Sequence, residues 1–380
     1  MQLSNKRPLE TLADSASKKA RSQKSASEND VIPLCSYPRT IVAWNCNGLT
    51  PRLRSEPDTR QIREFVKKFK PDVMFLSEVR VSAAIKIVNG ENGRQTKRIR
   101  SQMRDNDRQS SRDTSLVHSL MSSSELRSYK LYLSLADTKY AGTAMLHNTE
   151  TTVKPKKVRY NLERPYVNGS NHNPDGRVIY AVFDGFSILH TYSPNNGWAE
   201  ESFARRRAWD ESVRAFMIRK KEAGVNVIWV GDLNVAPKDE DLSHPVFYRS
   251  QRADRQVSKQ KQKEPPAPED VGQPGCTDGE RNRFEAILDA GDMKDAYRHH
   301  VGESHNSGFT WRGIVPGRHG GRGMRIDHCI VSRNLLPKIE SVNITGYGVE
   351  RCGFMGSDHS PLVISLRKEE NDEGEVSVRL

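Results

Sequence analysis

Val178-Ile-Tyr-Ala-Val-Phe183, followed at once by Phe186-Ser-Ile-Leu-His-Thr-Tyr192, decides the architecture of this chain. Two apolar runs rich in β-branched and aromatic residues, joined so closely, form a hairpin. A crossover between parallel strands needs a dozen or more intervening residues. Further strands are predicted at Ile41–Asn45, Val73–Ser77, Thr143–Leu146, Val227–Val230, Arg325–Val331 and Pro361–Leu366, with Val178–Phe183 and Ser187–Tyr192 making up the hairpin. Helical periodicity marks Thr59–Phe69, Ala199–Lys221 and Asp278–Leu288. The longest of these aligns Phe203, Trp209, Val213, Phe216 and Met217 in one stripe and stops at Gly224. Many strands, some joined by hairpins, and a few long helices predict an α+β fold of two packed sheets with helices on the outside. No internal repeat is visible.

The 380 residues suffice for one large domain or two modest ones. Lys and Arg number 60 against 48 Asp and Glu, giving a net charge of +12 and a pI of about 9.4. Only 35% of residues are hydrophobic and the mean hydropathy is −0.74, so part of the length is expected not to pack. No apolar run approaches the roughly 18 residues of a membrane span, and the chain opens without a secretory core. Five scattered cysteines, never in a C-x-x-C pair, argue against a disulfide framework and a zinc finger.

Three segments read as solvated: a tail at 1–38 and insertions at 81–124 and 246–275, with net charges of +2, +4 and +2. They carry most of the positive excess, either as inert insertions or as phosphate contacts. Both insertions are expected to be dispensable for folding. In the tail, Lys6-Arg7 and Lys18-Lys19-Ala20-Arg21 have the spacing of a bipartite nuclear import signal, which implies an import receptor and a nuclear location. Residues 39–368 remain as the folded domain and 369–380 as an acidic tail.

Polar residues gather where the apolar runs end. Asn45 and Asn47 close the first strand and Glu78 the second. Tyr192 and Asn195 follow the fifth, Asp232 and Asn234 the sixth. Asp327 lies in the seventh, and Asp358-His359 precede the last. Taken singly, each has an ordinary use as a turn cap, an ion-pair partner or a packed aromatic. If the strand ends converge, they supply carboxylates, amides and one histidine. Oxygen donors without thiols suit a hard cation such as Mg²⁺, amides can donate to phosphate, and a histidine held charged by an aspartate stabilises a phosphate oxygen. That is the equipment for metal-assisted hydrolysis of a phosphoester.

The strings Trp44-Asn45-Cys46-Asn47-Gly48-Leu49, Ser77-Glu78-Val79-Arg80, Gly176-Arg177-Val178-Ile179, Tyr192-Ser193-Pro194-Asn195-Asn196-Gly197, Gly231-Asp232-Leu233-Asn234, Arg325-Ile326-Asp327 and Gly356-Ser357-Asp358-His359-Ser360-Pro361 resemble, in order, the exonuclease III family of apurinic/apyrimidinic endonucleases. Asp-His-Ser-Pro and Gly-Asp-Leu-Asn alone reach only the wider endonuclease/exonuclease/phosphatase superfamily. Asp232 through Leu242 and Arg207-Ala208-Trp209-Asp210 look like its DNA-repair branch. The resemblance covers about two-thirds of the chain and implies a four-layer α/β/β/α sandwich, two mixed sheets face to face with helices outside. It also implies Mg²⁺, with Mn²⁺ as a substitute, held chiefly by Glu78 with Asn47 and Asp358 nearby, Asn45 orienting the metal site, and Asp232, Asn234 and His359 counted with them as metal-site residues. Asp232 would activate water, and Asn234 would hold that water and a phosphate oxygen. Asp327 would accept from His359, leaving the imidazolium aimed at the scissile phosphate, which Tyr192 and Asn195 also contact. Phe309, Trp311, Met324 and Ile326 would form the abasic pocket, with Trp198 as a wedge in the duplex.

The implied activity is cleavage 5′ to an abasic site in double-stranded DNA, with trimming of blocked 3′ ends and 3′→5′ exonuclease action, by a monomer. A retroelement-like or general nuclease of the superfamily is the nearest alternative. A nucleic-acid-binding protein that no longer cuts is the alternative of another class.

Overall fold

The computed structural model describes residues 34–90, 93–162, 171–251, 267–306, 308–345 and 354–368. In chain order these hold β1 (Thr40–Asn45), α1 (Leu49–Arg54), α2 (Glu56–Phe69), β2 (Val73–Ser77), β3 (Ala83–Gly90), β4 (Gly93–Met103), α3 (Arg108–Met121), β5 (Tyr129–Ser134), β6 (Thr143–Asn148) and β7 (Lys157–Arg159). There follow β8 (Val178–Val182), β9 (Ser187–Thr191), α4 (Glu200–Glu222), β10 (Val227–Asp232), α5 (Pro245–Arg249), α6 (Asp278–Gly291), β11 (Met293–Asp295), α7 (Ala296–Val301), β12 (Trp311–Arg312), β13 (Gly323–Met324), β14 (Asp327–Ser332), β15 (Ile339–Ile344) and β16 (Leu362–Leu366). One six-stranded sheet has the order β15-β16-β1-β2-β6-β5 and the other β11-β14-β10-β9-β8-β7. Each is mixed: β1–β2 and β9–β10 run parallel, while their other pairings are antiparallel.

Alternation along the strands builds the layers. Ile41, Ala43 and Phe75 of the first sheet meet Ile179, Ile188 and Ile228 of the second in a shared core. Their neighbours Val42, Trp44 and Met74 face outward against Leu53 of α1, Ile62 and Val66 of α2 and Val117 of α3. On the other side Tyr180, Leu189 and Trp229 pack on Val213 and Phe216 of α4 and Phe284 of α6. The fold is therefore the four-layer sandwich the resemblance implies. Each fully buried large apolar side chain contributes roughly 1.5–3 kcal/mol. The expected hairpin is β8–β9, and the α4 stripe is buried throughout, with Gly224 beyond its end at φ +65°. Among the described residues no helix is long and apolar enough to cross a membrane.

The solvated reading of 81–124 is corrected. This segment folds as the β3–β4 hairpin and α3, and Val81, Ala83, Val117 and Leu120 belong to the outer core of the first sheet. The helix escaped periodicity because its buried stripe is Ser110, Asp113, Val117 and Leu120, half of it polar. Asp113 is tolerated there because Arg54 and Lys139 both reach its carboxylate. The reading of 246–275 is corrected at both ends: Tyr248 and Asp270 are buried, while 252–266 lie outside the described residues. Packing also begins before residue 39, since Tyr37 stacks edge-on against Phe186 at 5.5 Å. Residues 1–33, with the basic clusters, and 369–380 lie outside the described residues.

Candidate active site

Both sheets deliver polar residues to one end. In the first, β1 and β2 run parallel and finish in register, Asn45 beside Ser77, so Glu78 emerges next to Asn45. In the second, antiparallel pairing sets Asp232 opposite Asp327. Asn45 joins the two: its amide nitrogen donates to Glu78 Oε1 and to Asp232 Oδ2, each at 2.9 Å. The loop before β16 is pinned to β1 by Ser357, which donates to the Asn45 carbonyl at 2.7 Å and accepts from the His359 amide at 3.1 Å. Trp44 Nε1 donates to the His359 carbonyl at 3.1 Å.

The backbone is unusual here. Asn47, Glu78, Arg80 and Asn234 all have positive φ, between +47° and +53°. Such conformations are costly for residues with a Cβ and persist where packing over-determines them, commonly at functional sites. Gly231, at φ +127°, is required: a Cβ there would lie 2.3 Å from the Thr191 carbonyl oxygen.

Charge is left uncompensated. His359 Nδ1 lies 2.7 Å from Asp327 Oδ2. Burial alone would lower the imidazole, but Asp327, with Asp232 and Asp358 behind it, raises it to about 10, so the ring is a cation at neutral pH. Burial, then the charges of Asp327 and Glu78, push the Asp232 carboxyl up to about 7, against the opposing pull of His359 and the Asn45 amide. Burial, then the charges of Glu78 and Asp232, hold Tyr192 well above the usual phenol range, leaving it a neutral donor. Arg177 fixes Tyr192, stacking 4.6 Å over its ring and donating to its carbonyl at 3.1 Å.

A cavity of about 210 Å³ opens over this floor. Its walls include Asn47, Glu78, Tyr192, Asn195, Asp232, Asn234, Asp358 and His359, with Trp311, Met324 and Ile326 as an apolar side. Asn45 and Asp327 act from behind. Asn234 is held by its own donation to the Ser193 carbonyl at 2.9 Å and by Asn195, which donates to its Oδ1 at 3.3 Å. Asp358 accepts from Asn47 at 2.8 Å and from Trp311 at 3.0 Å. One expected pocket residue does not line the cavity: Phe309 is buried under Arg312, 5.6 Å from its guanidinium. Trp198, expected as a wedge in the duplex, is half-buried outside the cavity walls.

Arg80, Gln273, Pro274 and Gly275 also line the cavity and were not among the expected site residues. Arg80 donates to Glu78 Oε2. Gln273 to Gly275 end the segment misread as solvated. They are set by the capping box of α6, in which Glu280 accepts from Gly275 and Thr277 amides at 2.7 and 3.2 Å. The Thr277-Asp-Gly-Glu280 pattern was the available signal.

The donor set fits a hard divalent cation. Ligand atoms of Glu78, Asp232 and His359 lie within 4.8 Å of one another. Of these three residues Glu78 is the least buried. Asn45 spends its amide on the two carboxylates and its oxygen on the Asn47 backbone N–H at 2.9 Å. Cys46, inside the same motif, turns its thiol to the Ser77 carbonyl, and burial raises it to about 12, so no thiolate competes.

A model described as the Endonuclease/Exonuclease/phosphatase family matches residues 42–359. The chain is 39% identical over 345 residues to a DNA-(apurinic or apyrimidinic site) endonuclease of Arabidopsis thaliana, spanning 90% of this chain and 88% of that protein. It is 35% identical over 354 residues to one of Plasmodium berghei, covering 86% and 63% of the two chains. Among solved structures, the AP endonuclease of Leishmania major superposes with a TM-score of 0.62 at 21% identity, covering 90% of this chain and 94% of that one. A Neisseria 3′ phosphatase bound to a product DNA hairpin gives 0.57 at 19% identity, covering 87% and 100%. The chain belongs to the endonuclease/exonuclease/phosphatase family and, within it, to the DNA-(apurinic or apyrimidinic site) endonucleases.

Proposed function

We propose that this phosphodiester hydrolase cuts double-stranded DNA 5′ to an abasic site, leaving a 3′-hydroxyl and a 5′-deoxyribose phosphate, and that the same site trims blocked 3′ ends and removes 3′ nucleotides. The observation that carries the reading is the juxtaposition of the Asp327–His359 pair, Asp232 and Asn234 beneath an apolar wall of Trp311, Met324 and Ile326. A small slot beside a phosphate-binding floor admits an extruded sugar without its base, and such a site costs less to flip than a stacked nucleotide.

In this reading Mg²⁺, with Mn²⁺ as a substitute, is held by Glu78 with Asp358 and Asn47 nearby, and supplies positive charge to a phosphate oxygen. Asp232 accepts the proton of the attacking water, which Asn234 and Asp232 position. The Asn234 backbone N–H donates to Asp232 Oδ1 at 3.0 Å. The His359 imidazolium, Tyr192 hydroxyl and Asn195 amide donate to phosphate oxygens as charge builds on them. The enzyme acts as a monomer, and Lys6-Arg7 with Lys18–Arg21 carry it through an import receptor to the nucleus.

The test is cleavage of duplexes with and without one tetrahydrofuran site, in Mg²⁺ and in chelator. Metal-dependent cutting only at the analogue supports the reading. Equal cutting of intact duplex would make the protein a general nuclease, and binding without cutting would make it a non-cutting binding protein. Loss of nuclear accumulation on changing Lys18, Lys19 and Arg21 to Ala tests the import signal.

A further inference from the structure

β3 and β4 form a two-stranded ribbon that pairs with no other strand among the described residues. Its base is tied down. Arg100 donates to the Leu135 carbonyl and pairs with Asp137, both at 3.0 Å, and Arg104 donates to the Asp137 carbonyl at 2.9 Å. That base starts three residues after Arg80, a wall of the active-site cavity. Farther out, Lys86, Arg94 and Lys97 are exposed and take part in no ion pair among the described residues. Lys86 faces Lys97 directly across the ribbon. Like charges opposed on neighbouring strands repel, so this pairing weakens the free ribbon unless an anion lies against it. The register sets Lys86 and Lys97 on one face and Arg94 on the other, so both faces are cationic.

Resting on the reading of the site as a DNA endonuclease, we propose that the ribbon grips the duplex on one side of the lesion. It lies in the major groove with a phosphate wall against each face. A major groove about 12 Å wide admits a two-stranded ribbon. The eight residues of β3, at about 3.3 Å each, reach roughly 25 Å beyond the base. Cations on both faces then meet both strands, and the Lys86–Lys97 repulsion is relieved by the phosphate wall their face meets.

The experiment compares the full chain with Lys86→Gln/Arg94→Gln/Lys97→Gln on uncleaved abasic duplex in chelator, from 50 to 200 mM salt. The salt slope of binding is expected to shrink by about 0.9 for each of the three phosphates no longer neutralised, and low-salt affinity to fall at least about tenfold. The single-turnover rate at saturating enzyme stays unchanged, and the melting temperature of the free variant is not lowered. Shortening the duplex on one side of the lesion, but not the other, should abolish the difference between the two proteins. A folded variant with an unchanged slope overturns the proposal, as does the same weakening on single-stranded DNA. If the unaltered chain cannot cut the abasic duplex, the endonuclease reading fails instead; cutting with an unchanged slope sinks only the ribbon.

Discussion

Two buried clusters of charge grow from the same short string, Arg325-Ile326-Asp327, and they end in opposite electrostatic states. Asp327 joins Asp232, Glu78 and His359, where the carboxylates outnumber their cationic partners, His359 and Arg80, and the Asp232 carboxyl is driven up to about 7. Arg325 turns to the other cluster. It donates to Asp241 Oδ1 at 2.7 Å and to Asp295 Oδ2 at 2.8 Å, while Arg298 also reaches Asp241. There, despite burial, the arginines hold both carboxyls below the usual range. Paired charge of this kind fixes structure: the Arg325 amide also donates to the Asp241 carbonyl at 2.8 Å, tying the loop after β10 to the start of β14. Unbalanced charge is what a site for a cation and a phosphate requires.

The largest effect is expected at the unbalanced cluster. Asp232→Asn keeps the shape and one of the two hydrogen bonds the carboxylate accepts, but removes the proposed proton acceptor. Single-turnover cleavage should fall by about 10²–10⁴-fold, while affinity for abasic duplex stays or rises. Near wild-type cleavage would move the base elsewhere. His359→Ala should also be severe, and adding Asp327→Ala should cost little more, because the pair acts as a unit. Additive losses would show two separate roles.

Stability should move in opposite directions in the two clusters. The Asp241 carboxylate, held low by its arginines, stabilises the fold above the ordinary Asp range and loses that contribution as pH falls. Asp241→Asn breaks a buried pair and should cost about 3–5 kcal/mol at neutral pH. Asp232 has a raised folded value, so its ionisation opposes folding as pH rises from the ordinary Asp range toward 7. In chelator at neutral pH, Asp232→Asn should therefore raise the melting temperature. Changes of the same sign in both variants would remove the distinction.

A smaller effect tests the corrected insertion. Val117→Ala in α3 removes two buried methyl groups and should cost about 2 kcal/mol by denaturant unfolding, with cleavage per folded molecule unchanged. No loss would restore the solvated reading of 81–124.

The sheets were legible because their strands are long apolar runs buried on both faces, as Val227-Ile-Trp-Val230 shows. β5 and β15 were missed because they lie at the sheet edges, where Tyr129-Lys-Leu-Tyr-Leu-Ser134 and Ile339-Glu-Ser-Val-Asn-Ile344 mix exposed and buried positions. The floor of the cavity was legible because its residues close such strands. Its supports were not: Ser357, Ser193 and Arg177 act through backbone carbonyls or amides supplied by distant segments, and no spacing rule captures that. Gln273 to Gly275 were hidden by a proline-rich, charged neighbourhood that resembles a linker.

The most direct measurement is single-turnover cleavage of one duplex bearing a single tetrahydrofuran site, by the unaltered chain and by Asp232→Asn, each in Mg²⁺ and in chelator. The expected result is a cut immediately 5′ to the analogue by the unaltered chain in Mg²⁺ alone, with the variant bound to the duplex but slower by at least about 10²-fold. Undiminished cleavage by the variant, or full cleavage in chelator, would contradict the assignment of the unbalanced cluster as a metal-dependent catalytic site.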